Sequence, residues 1–148
     1  MKRLSLIDKA FLLKRTPLFA MLDLDLLLTI ADKLAFVSLD KDETIFSIDQ
    51  DAHRMYFVAK GSVLIRDREQ QTLALLKQYD FFGDESLFQD KPRGYEAICE
   101  SDADLLTLTR TNLLTIISEC PSVAVGFLQA YAANMVFRPR KNSEGEVT

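Results

Sequence analysis

The sequence predicts a mainly β, α+β fold, in which an antiparallel β-sandwich or small barrel lies between helical segments at the two ends of the chain. Three observations predict it. Apolar residues recur at helical spacing up to about residue 35, short β-rich runs follow to about residue 109, and helical spacing then returns. Short strands at close, regular spacing are typical of a sandwich or barrel rather than of a parallel sheet.

The N-terminal region, residues 3 to about 35, is predicted to be helical. Thr16 is expected to cap a helix that begins at Pro17, because proline is favoured at the first helical position. Asp23 is expected to cap the next helix. The apolar stripe of that helix consists of Leu24, Leu27, Leu28, Ala31 and Leu34.

The central region, residues 36–109, is predicted to consist of strands. Its candidate strands are rich in Val, Ile, Phe, Tyr and Thr. They are AFVSL, ETIFSI, RMYFVAKG, SVLIRD, TLALLKQY, YEAICES and DLLTLT. Residues 49–51, Gly61 and residues 68–71 carry the turn chemistry that separates them.

The C-terminal region is predicted to hold two helices, the first capped by Thr109 or Thr111 and the second opened by Pro121. Residues 122–137 carry no charge. Their apolar positions form one stripe with Ala124, Leu128, Tyr131, Ala132 and Met135, and another with Val123, Phe127, Ala130 and Phe137. We expect the strands to cover one side and a ligand, a partner protein or a second copy docked through residues 121–137 to cover the rest. A helix sunk in the chain's own core is the alternative.

Composition excludes several classes of protein. The chain has 148 residues, 48% of them hydrophobic, and a domain of this length buries roughly 70% of its unfolded surface. Cys99 and Cys120 are too few for a disulfide framework, which favours a cytoplasmic location. With His53 as the only histidine, we expect no metal site.

The charge pattern argues against nucleic-acid and membrane partners. The net charge is −4, and the one concentrated basic patch, residues 138–141, lies in a polar tail. Charged residues interrupt the N-terminal apolar run, so we expect no secretion signal. No stretch reaches the roughly 20 apolar residues that cross a bilayer.

Residues 81–97, FFGDESLFQDKPRGYEA, combine a glycine, two adjacent acids and a single arginine. A buried anion needs a fixed counter-charge, and the planar fork of Arg93 can form parallel hydrogen bonds to two oxygens of such a group. Glycine at position 83 allows close backbone approach, and a helical turn after it would offer free N–H groups to the same anion.

This stretch resembles the phosphate-binding cassette of the cyclic nucleotide-binding domain, the module of bacterial catabolite activator proteins and protein-kinase regulatory subunits. The family's cassette reads Phe-Gly-Glu-Leu-Ala-Leu, a short spacer and Pro-Arg-Ala. Here residues 82–87 read Phe-Gly-Asp-Glu-Ser-Leu and residues 92–94 read Pro-Arg-Gly. The resemblance runs from TPLF to FLQAYA and implies a jelly roll of the cyclic nucleotide-binding type.

The resemblance implies one domain over residues 1–138, followed by a polar tail. Its parts are the N-terminal helices 1–35, the β-roll 36–109 with the cassette 82–94, the C-terminal helices 110–138 and the tail 139–148. Glycines of the family pattern are replaced by Asp42 and Asp51, and aspartate tolerates the left-handed backbone such turns need. Gly61 matches the glycine that joins two central strands.

The resemblance also implies ligand contacts. Gly83 takes the turn position, and Arg93 takes the phosphate position with Ser86 and the amide of Gly94 beside it. As an alternative, Arg93 could pair with Glu85 or Glu96.

The ribose carboxylate falls on Asp84, which is one methylene shorter than the family's glutamate, and Glu85 stands where the family is usually apolar. Asp84 could reach the ribose with a shifted backbone, Glu85 could take over, or the two acids could repel the phosphate. Both could also serve as helix N-terminal acids. Tyr131 could stack on the purine as a lid or be a core or interface tyrosine.

The implied function is that of a regulatory sensor. It would bind a cyclic nucleotide, cAMP in preference to cGMP, and signal through its C-terminal helix. The chain ends soon after residue 137, so we expect no DNA-binding domain and an output through a protein partner in trans. The alternative is a non-binding member of the fold that serves as a dimerisation or scaffold module.

We do not expect an enzyme. The chain has no nucleophile elbow, P-loop or dinucleotide fingerprint. Its two adjacent acids are not spaced as a catalytic pair.

Overall fold

A computed structural model describes residues 4–133 of the chain, which contain five helices and eight strands. The helices are α1 (Leu6–Lys14), α2 (Leu24–Ala31), α3 (Glu85–Gln89), α4 (Arg110–Glu119) and α5 (Ser122–Ala133). The strands are β1 (Ala35–Leu39), β2 (Thr44–Phe46), β3 (Arg54–Lys60), β4 (Val63–Arg66), β5 (Thr72–Leu76), β6 (Phe81–Phe82), β7 (Glu96–Cys99) and β8 (Ala103–Thr109). The predicted mainly β fold with helices at both ends is confirmed.

The strands form two antiparallel sheets of four strands each. The first sheet has the order β1-β8-β3-β6 and the second the order β2-β7-β4-β5. Each of the seven predicted runs contains one strand, and only the two-residue β6 was not predicted. β6 pairs with β3, Tyr56 lying opposite Phe82, so the cassette begins at the edge of the first sheet.

Alternation along the strands divides the buried side chains between two cores. Phe57 of β3 packs in the core beneath the helices, and its neighbour Val58 packs in the core between the two sheets. β8 is buried on both faces, with Leu105 between the sheets and Leu106 beneath the helices. The first sheet is therefore the middle layer, between the helices and the second sheet.

Asp23 caps α2 as predicted, and its side chain accepts a hydrogen bond of 3.0 Å from the backbone N–H of Leu26. A cap of this kind satisfies one of the free donors at the start of the helix. Ser5 makes the equivalent cap on α1, in a reciprocal pair of hydrogen bonds with Asp8 that was not predicted.

The predicted helix beginning at Pro17 does not form. Residues 15–22 make successive tight turns, in which the N–H of Phe19 donates to the Thr16 carbonyl and the N–H of Leu22 to the Phe19 carbonyl. The Thr16 hydroxyl donates backwards to the Leu12 carbonyl, so Thr16 closes α1 instead of capping a new helix. Consecutive residues 18 and 19 are both buried, and the turns bring both side chains into the core.

Aspartates occupy left-handed turn positions, although not all at the predicted sites. Gly61 has a φ of +88° and Asp42 a φ of +72°, as expected for turns that glycine favours. The prediction for Asp51 was wrong, because the left-handed residue of that loop is Asp49, with a φ of +69°. Arg68 donates a hydrogen bond of 2.6 Å to the Asp49 carboxylate.

Of the two candidate caps for α4, the structure selects Thr109, whose hydroxyl accepts a hydrogen bond of 3.2 Å from the N–H of Asn112. In α5, Phe127 is 2% exposed and packs on the helix-side core, whereas Leu128 is 65% exposed. The alternative of a helix sunk in the chain's own core is therefore wrong for residues 122–133. Met135 lies outside the described residues, as do Phe137 and the tail.

Among residues 4–133, no single helix has both the length and the apolar character needed to cross a membrane. α4 and α5 reach that length and composition only as a pair, and the pair is bent by 111° at the break.

Candidate functional site

The cassette runs from β6 through α3 to the loop before β7. Gly83 follows β6 with a φ of +80°, and α3 begins two residues later, which confirms the predicted helical turn after the glycine. The Gly83 N–H donates a hydrogen bond of 2.8 Å to the hydroxyl of Tyr95. The backbone at the entrance of the cassette is thereby tied to the start of the second sheet.

Glycine at position 83 makes room for the arginine. A Cβ added there would lie 2.8 Å from Nη1 of Arg93 and 3.4 Å from the ring of Tyr56. A side chain would meet the guanidinium, and the positive φ would strain any other residue. The close approach of Arg93 to this turn therefore depends on the glycine.

Arg93 points into the molecule and is 2% exposed. Its Nη1 donates to the carbonyl of Gly83 at 2.7 Å, and its Nη2 donates to the carbonyl of Arg54 on β3. Its Nε is buried and has no hydrogen-bond partner among the described residues. The guanidinium thus joins the cassette to the first sheet with one donor left over.

The alternative pairing of Arg93 with Glu96 or Glu85 is wrong. Glu96 forms its ion pair with Arg66, at 2.7 Å, on the second sheet. Neither ion pairing nor hydrogen bonding joins Arg93 to Glu85 within the described part of the chain. The charge of Glu85 still acts on Arg93 at longer range.

Aromatic rings surround the guanidinium. Its Cζ lies 4.1 Å from the ring centroid of Phe46 and 5.9 Å from that of Tyr56, distances at which a cation is attracted to an aromatic face. Phe82 stacks on Tyr56 at 5.1 Å, and Tyr95 lies 5.5 Å from Phe46. Burial lowers the pKa of Arg93, although an arginine remains charged.

Asp84 is 4% exposed and is held by α5. The hydroxyl of Tyr131 donates a hydrogen bond to its Oδ2. Burial raises the pKa of Asp84 from 3.8 to about 6, and the neighbouring charge of Glu85 also raises it, while the bond from Tyr131 opposes the shift. Asp84 is therefore an acid whose charged form is disfavoured by its surroundings.

Glu85 begins α3 and is half-buried. Its Oε1 is buried without a hydrogen-bond partner in the described part of the chain. Burial raises the pKa of Tyr95, and the negative charge of Glu85 raises that pKa further. The two adjacent acids thus have different surroundings, since Asp84 has the Tyr131 hydroxyl as a donor and Glu85 keeps one oxygen, Oε1, without a donor among the described residues.

Tyr131 links α5 to the cassette. Besides its bond to Asp84, its ring lies 6.2 Å from that of Phe127 and 6.5 Å from that of Phe88 on α3. Phe88 and Phe127 are themselves in edge contact at 5.2 Å. The cassette and α5 are therefore in direct contact through Tyr131 and Phe127.

The remaining two predicted site residues, Ser86 and Gly94, differ in burial. Ser86 is 4% exposed in the first turn of α3, beside the other cassette residues. Gly94 is exposed, and a Cβ added there would meet no atom within 4 Å. The structure therefore gives no steric reason for glycine at position 94.

Sequence reasoning missed the residues that frame Arg93, which are Phe46, Tyr56, Tyr95 and the Arg54 carbonyl. The only local signal was the aromatic content of three of the predicted strands, of which the structure places Phe46 and Tyr56 in β2 and β3 and Tyr95 just before β7. No pattern within one strand indicates that these residues converge.

The polar groups gathered here, a guanidinium, two carboxylates and two tyrosine hydroxyls, include donors suited to an anion and acceptors suited to hydroxyl groups. Residues 4–133 contain no group of three side chains able to hold a metal ion.

Comparisons with known proteins agree with this geometry. The chain is 38% identical over 74 residues to the cyclic AMP receptor protein of Thermus thermophilus, covering 47% of this chain and 34% of that protein. It is 29% identical over 103 residues to the global nitrogen regulator of Synechocystis, covering 66% and 46%. The crystal structure of the Thermus thermophilus catabolite activator protein superposes with a TM-score of 0.75 at 28% identity, covering 80% and 57%.

The chain thus spans about a third to a half of the length of the curated relatives it matches. The sequence profile of the cyclic nucleotide-binding domain matches residues 36–120. This range includes the whole cassette and, apart from the first residue of β1, all the described strands. This chain belongs to the cyclic nucleotide-binding domain family.

Proposed function

We propose that this chain is the sensory module of a regulatory system, which binds a cyclic nucleotide at the cassette and signals occupancy through α5 to a partner protein. The observation that carries the proposal is Arg93, a cation only 2% exposed that lies beside a glycine turn and whose Nε has no partner among residues 4–133. A buried charge is costly unless it is paired, so an anionic ligand would compensate it.

The phosphate of the ligand would compete for the guanidinium. In the described state two neutral carbonyls take Nη1 and Nη2. Hydrogen bonds to a charged phosphate are roughly twice as strong as those to neutral acceptors. Nε is already available, and the hydroxyl of Ser86 and the amide of Gly94 lie in the same cassette. cAMP is the preferred candidate over cGMP, since one relative is described as a cyclic AMP receptor.

The signal would pass through α5 because that helix contacts the cassette at Asp84 and Phe88. A ligand shifts a helix between two positions only if its affinity for them differs. Leu128 and Val125, 65% and 48% exposed, offer apolar contacts to a partner protein or to a second copy of the chain.

One observation favours a second candidate function, that of a non-binding dimerisation or scaffold module. Phe46 covers the guanidinium of Arg93, carbonyls occupy two of its nitrogens, and Tyr131 occupies Asp84. A cassette satisfied by its own chain gains less from a ligand.

Isothermal titration with cAMP and cGMP separates the two functions. We expect the intact protein to bind cAMP, and Arg93→Ala to weaken binding by about 100-fold or more, the usual consequence of losing a buried charge partner. Arg93→Lys keeps the charge but loses the planar fork, so its affinity for cAMP is expected to lie between that of the intact protein and that of Arg93→Ala. Arg110→Ala is the matched control, because Arg110 pairs with the exposed Asp90 at the far end of α3.

No binding of either nucleotide at high micromolar concentration would reject the sensor. Thermal unfolding then adds a test, since a ligand at 100 times its Kd stabilises a fold by about 2.7 kcal/mol. An unchanged Tm with both nucleotides, together with a concentration-dependent dimer in sedimentation, would support the scaffold.

A further inference from the structure

The two adjacent acids of the cassette differ in their hydrogen bonding, although the Glu85 carboxylate also interacts with the hydroxyl of Tyr95. Asp84 is nine-tenths or more buried and has a donor, the hydroxyl of Tyr131, at Oδ2. Glu85 has a buried oxygen, Oε1, that receives no hydrogen bond from the described residues. A buried acceptor without a donor costs free energy, so Glu85 is the acid that gains by meeting a hydroxyl.

A second unpaired polar atom lies in the same cassette. The buried Nε of Arg93 has no acceptor in the part of the chain that the structure describes, while its Nη1 donates to the carbonyl of Gly83, two residues before Glu85. The unpaired atoms are therefore one donor and one acceptor. They do not satisfy each other, because no ion pair or hydrogen bond joins Arg93 to Glu85 among the described residues.

A ribose cyclic phosphate presents the complementary pair, since its phosphate oxygens accept and its 2′-hydroxyl donates. Using Asp84 for that hydroxyl would first require its bond to Tyr131 to break, which would release α5. Using Glu85 breaks no hydrogen bond at Oε1.

We propose that the two acids divide the work, with Glu85 accepting the hydrogen bond of the ribose 2′-hydroxyl and Asp84 holding α5 on the cassette through Tyr131. The Glu85 role rests on the proposed function, whereas the Asp84 role is a property of the chain without ligand. The pair of roles differs from what the family pattern implies for position 84.

The ligand half is tested by comparing cAMP with 2′-deoxy-cAMP in isothermal titrations. The intact protein is expected to prefer cAMP by roughly tenfold to hundredfold, the contribution of a hydrogen bond to a charged group. Glu85→Ala is expected to bring the ratio of the two dissociation constants, 2′-deoxy-cAMP over cAMP, close to one. Asp84→Ala is expected to keep the ratio, with both affinities shifted together.

The helix half is tested without nucleotide, by hydrogen exchange of residues 122–133. Asp84→Ala and Tyr131→Phe are expected to accelerate exchange there several-fold, and Glu85→Ala is expected to leave it unchanged. Tyr131→Phe removes only the hydroxyl, so it tests the contact even if Asp84→Ala disturbs folding.

The outcomes separate this inference from the proposed function. If cAMP binds and the ratio collapses in Asp84→Ala but not in Glu85→Ala, the assignment of the acids is overturned and the sensor stands. A ratio of one in the intact protein also overturns the role of Glu85. If neither nucleotide binds, the proposed function and the role of Glu85 fall together. Unchanged exchange in Tyr131→Phe overturns the role of Asp84 in every case.

Discussion

Replacing Asp84 by asparagine is expected to stabilise the protein at neutral pH. Asparagine has nearly the same shape as aspartate, and its side-chain oxygen can still accept the bond from Tyr131. It carries no charge, so the cost of burying an ionised carboxylate beside Glu85 disappears. The cassette would then be more stable although it has lost a predicted site residue, as stability–function trade-offs allow.

The size and sign follow from the pKa. Burial raises the pKa of Asp84 from 3.8 to about 6, so the folded chain holds this proton more tightly than the unfolded chain. The folded state therefore loses stability as pH rises from about 4 to about 6, and above that range the whole penalty of about 3 kcal/mol is present. Asp84→Asn should regain up to that amount at about pH 7.5, and less than about 1 kcal/mol at about pH 4.

Urea denaturation followed by far-ultraviolet circular dichroism at these two pH values measures the effect. A gain of about 3 kcal/mol corresponds to roughly 6–12 °C in Tm for a chain of this size. Asp49→Asn is the matched control, because Asp49 is exposed, its pKa is lowered by Arg68, and asparagine accepts its left-handed backbone. The reasoning would be refuted if Asp84→Asn did not raise the free energy of unfolding at about pH 7.5, or raised it equally at both pH values.

Two further substitutions test the local geometry by urea denaturation. Gly83→Ala is expected to lower the free energy of unfolding by about 1–3 kcal/mol, because Gly83 has a φ of +80° and the added Cβ would lie 2.8 Å from Nη1 of Arg93. Gly94→Ala is the control and should be nearly neutral. Equal effects at both glycines would contradict this. Thr109→Ala is expected to cost about 1 kcal/mol through loss of the α4 cap, and Thr111→Ala to cause no loss; a larger loss at Thr111 would reverse the assignment.

Local patterns in the sequence were sufficient for the strands and for the start of the cassette. β3, for example, is recognisable from its sequence as a short run rich in aromatic and β-branched residues, RMYFVAK, although the assignment of Phe57 and Val58 to different cores is seen only in the structure. The glycine turn at 83 and the inward arginine at 93 were expected from the resemblance of residues 82–94 to the family's cassette, and the structure shows a positive φ at Gly83 and a buried Arg93 side chain. These features depend on neighbours that are close along the chain.

Features set by distant contacts could not be predicted. Tyr131 meets Asp84 across 47 residues, and the carbonyl of Arg54 that receives Arg93 lies 39 residues away. The chain at Pro17 forms turns instead of the expected helix, and the burial of Leu18 and Phe19 in those turns depends on the tertiary packing around them. Propensity at a single position does not contain this information.

The aromatic residues around the cassette give the protein a built-in optical probe. The chain has four tyrosines and no tryptophan. Tyr56, Tyr95 and Tyr131 all touch the cassette or the guanidinium, and only Tyr79 lies elsewhere, beside Arg15. Because the chain has no tryptophan to which the tyrosines could transfer excitation energy, its intrinsic ultraviolet fluorescence comes from the tyrosines. A change at the cassette should therefore alter the intrinsic fluorescence of the unlabelled protein.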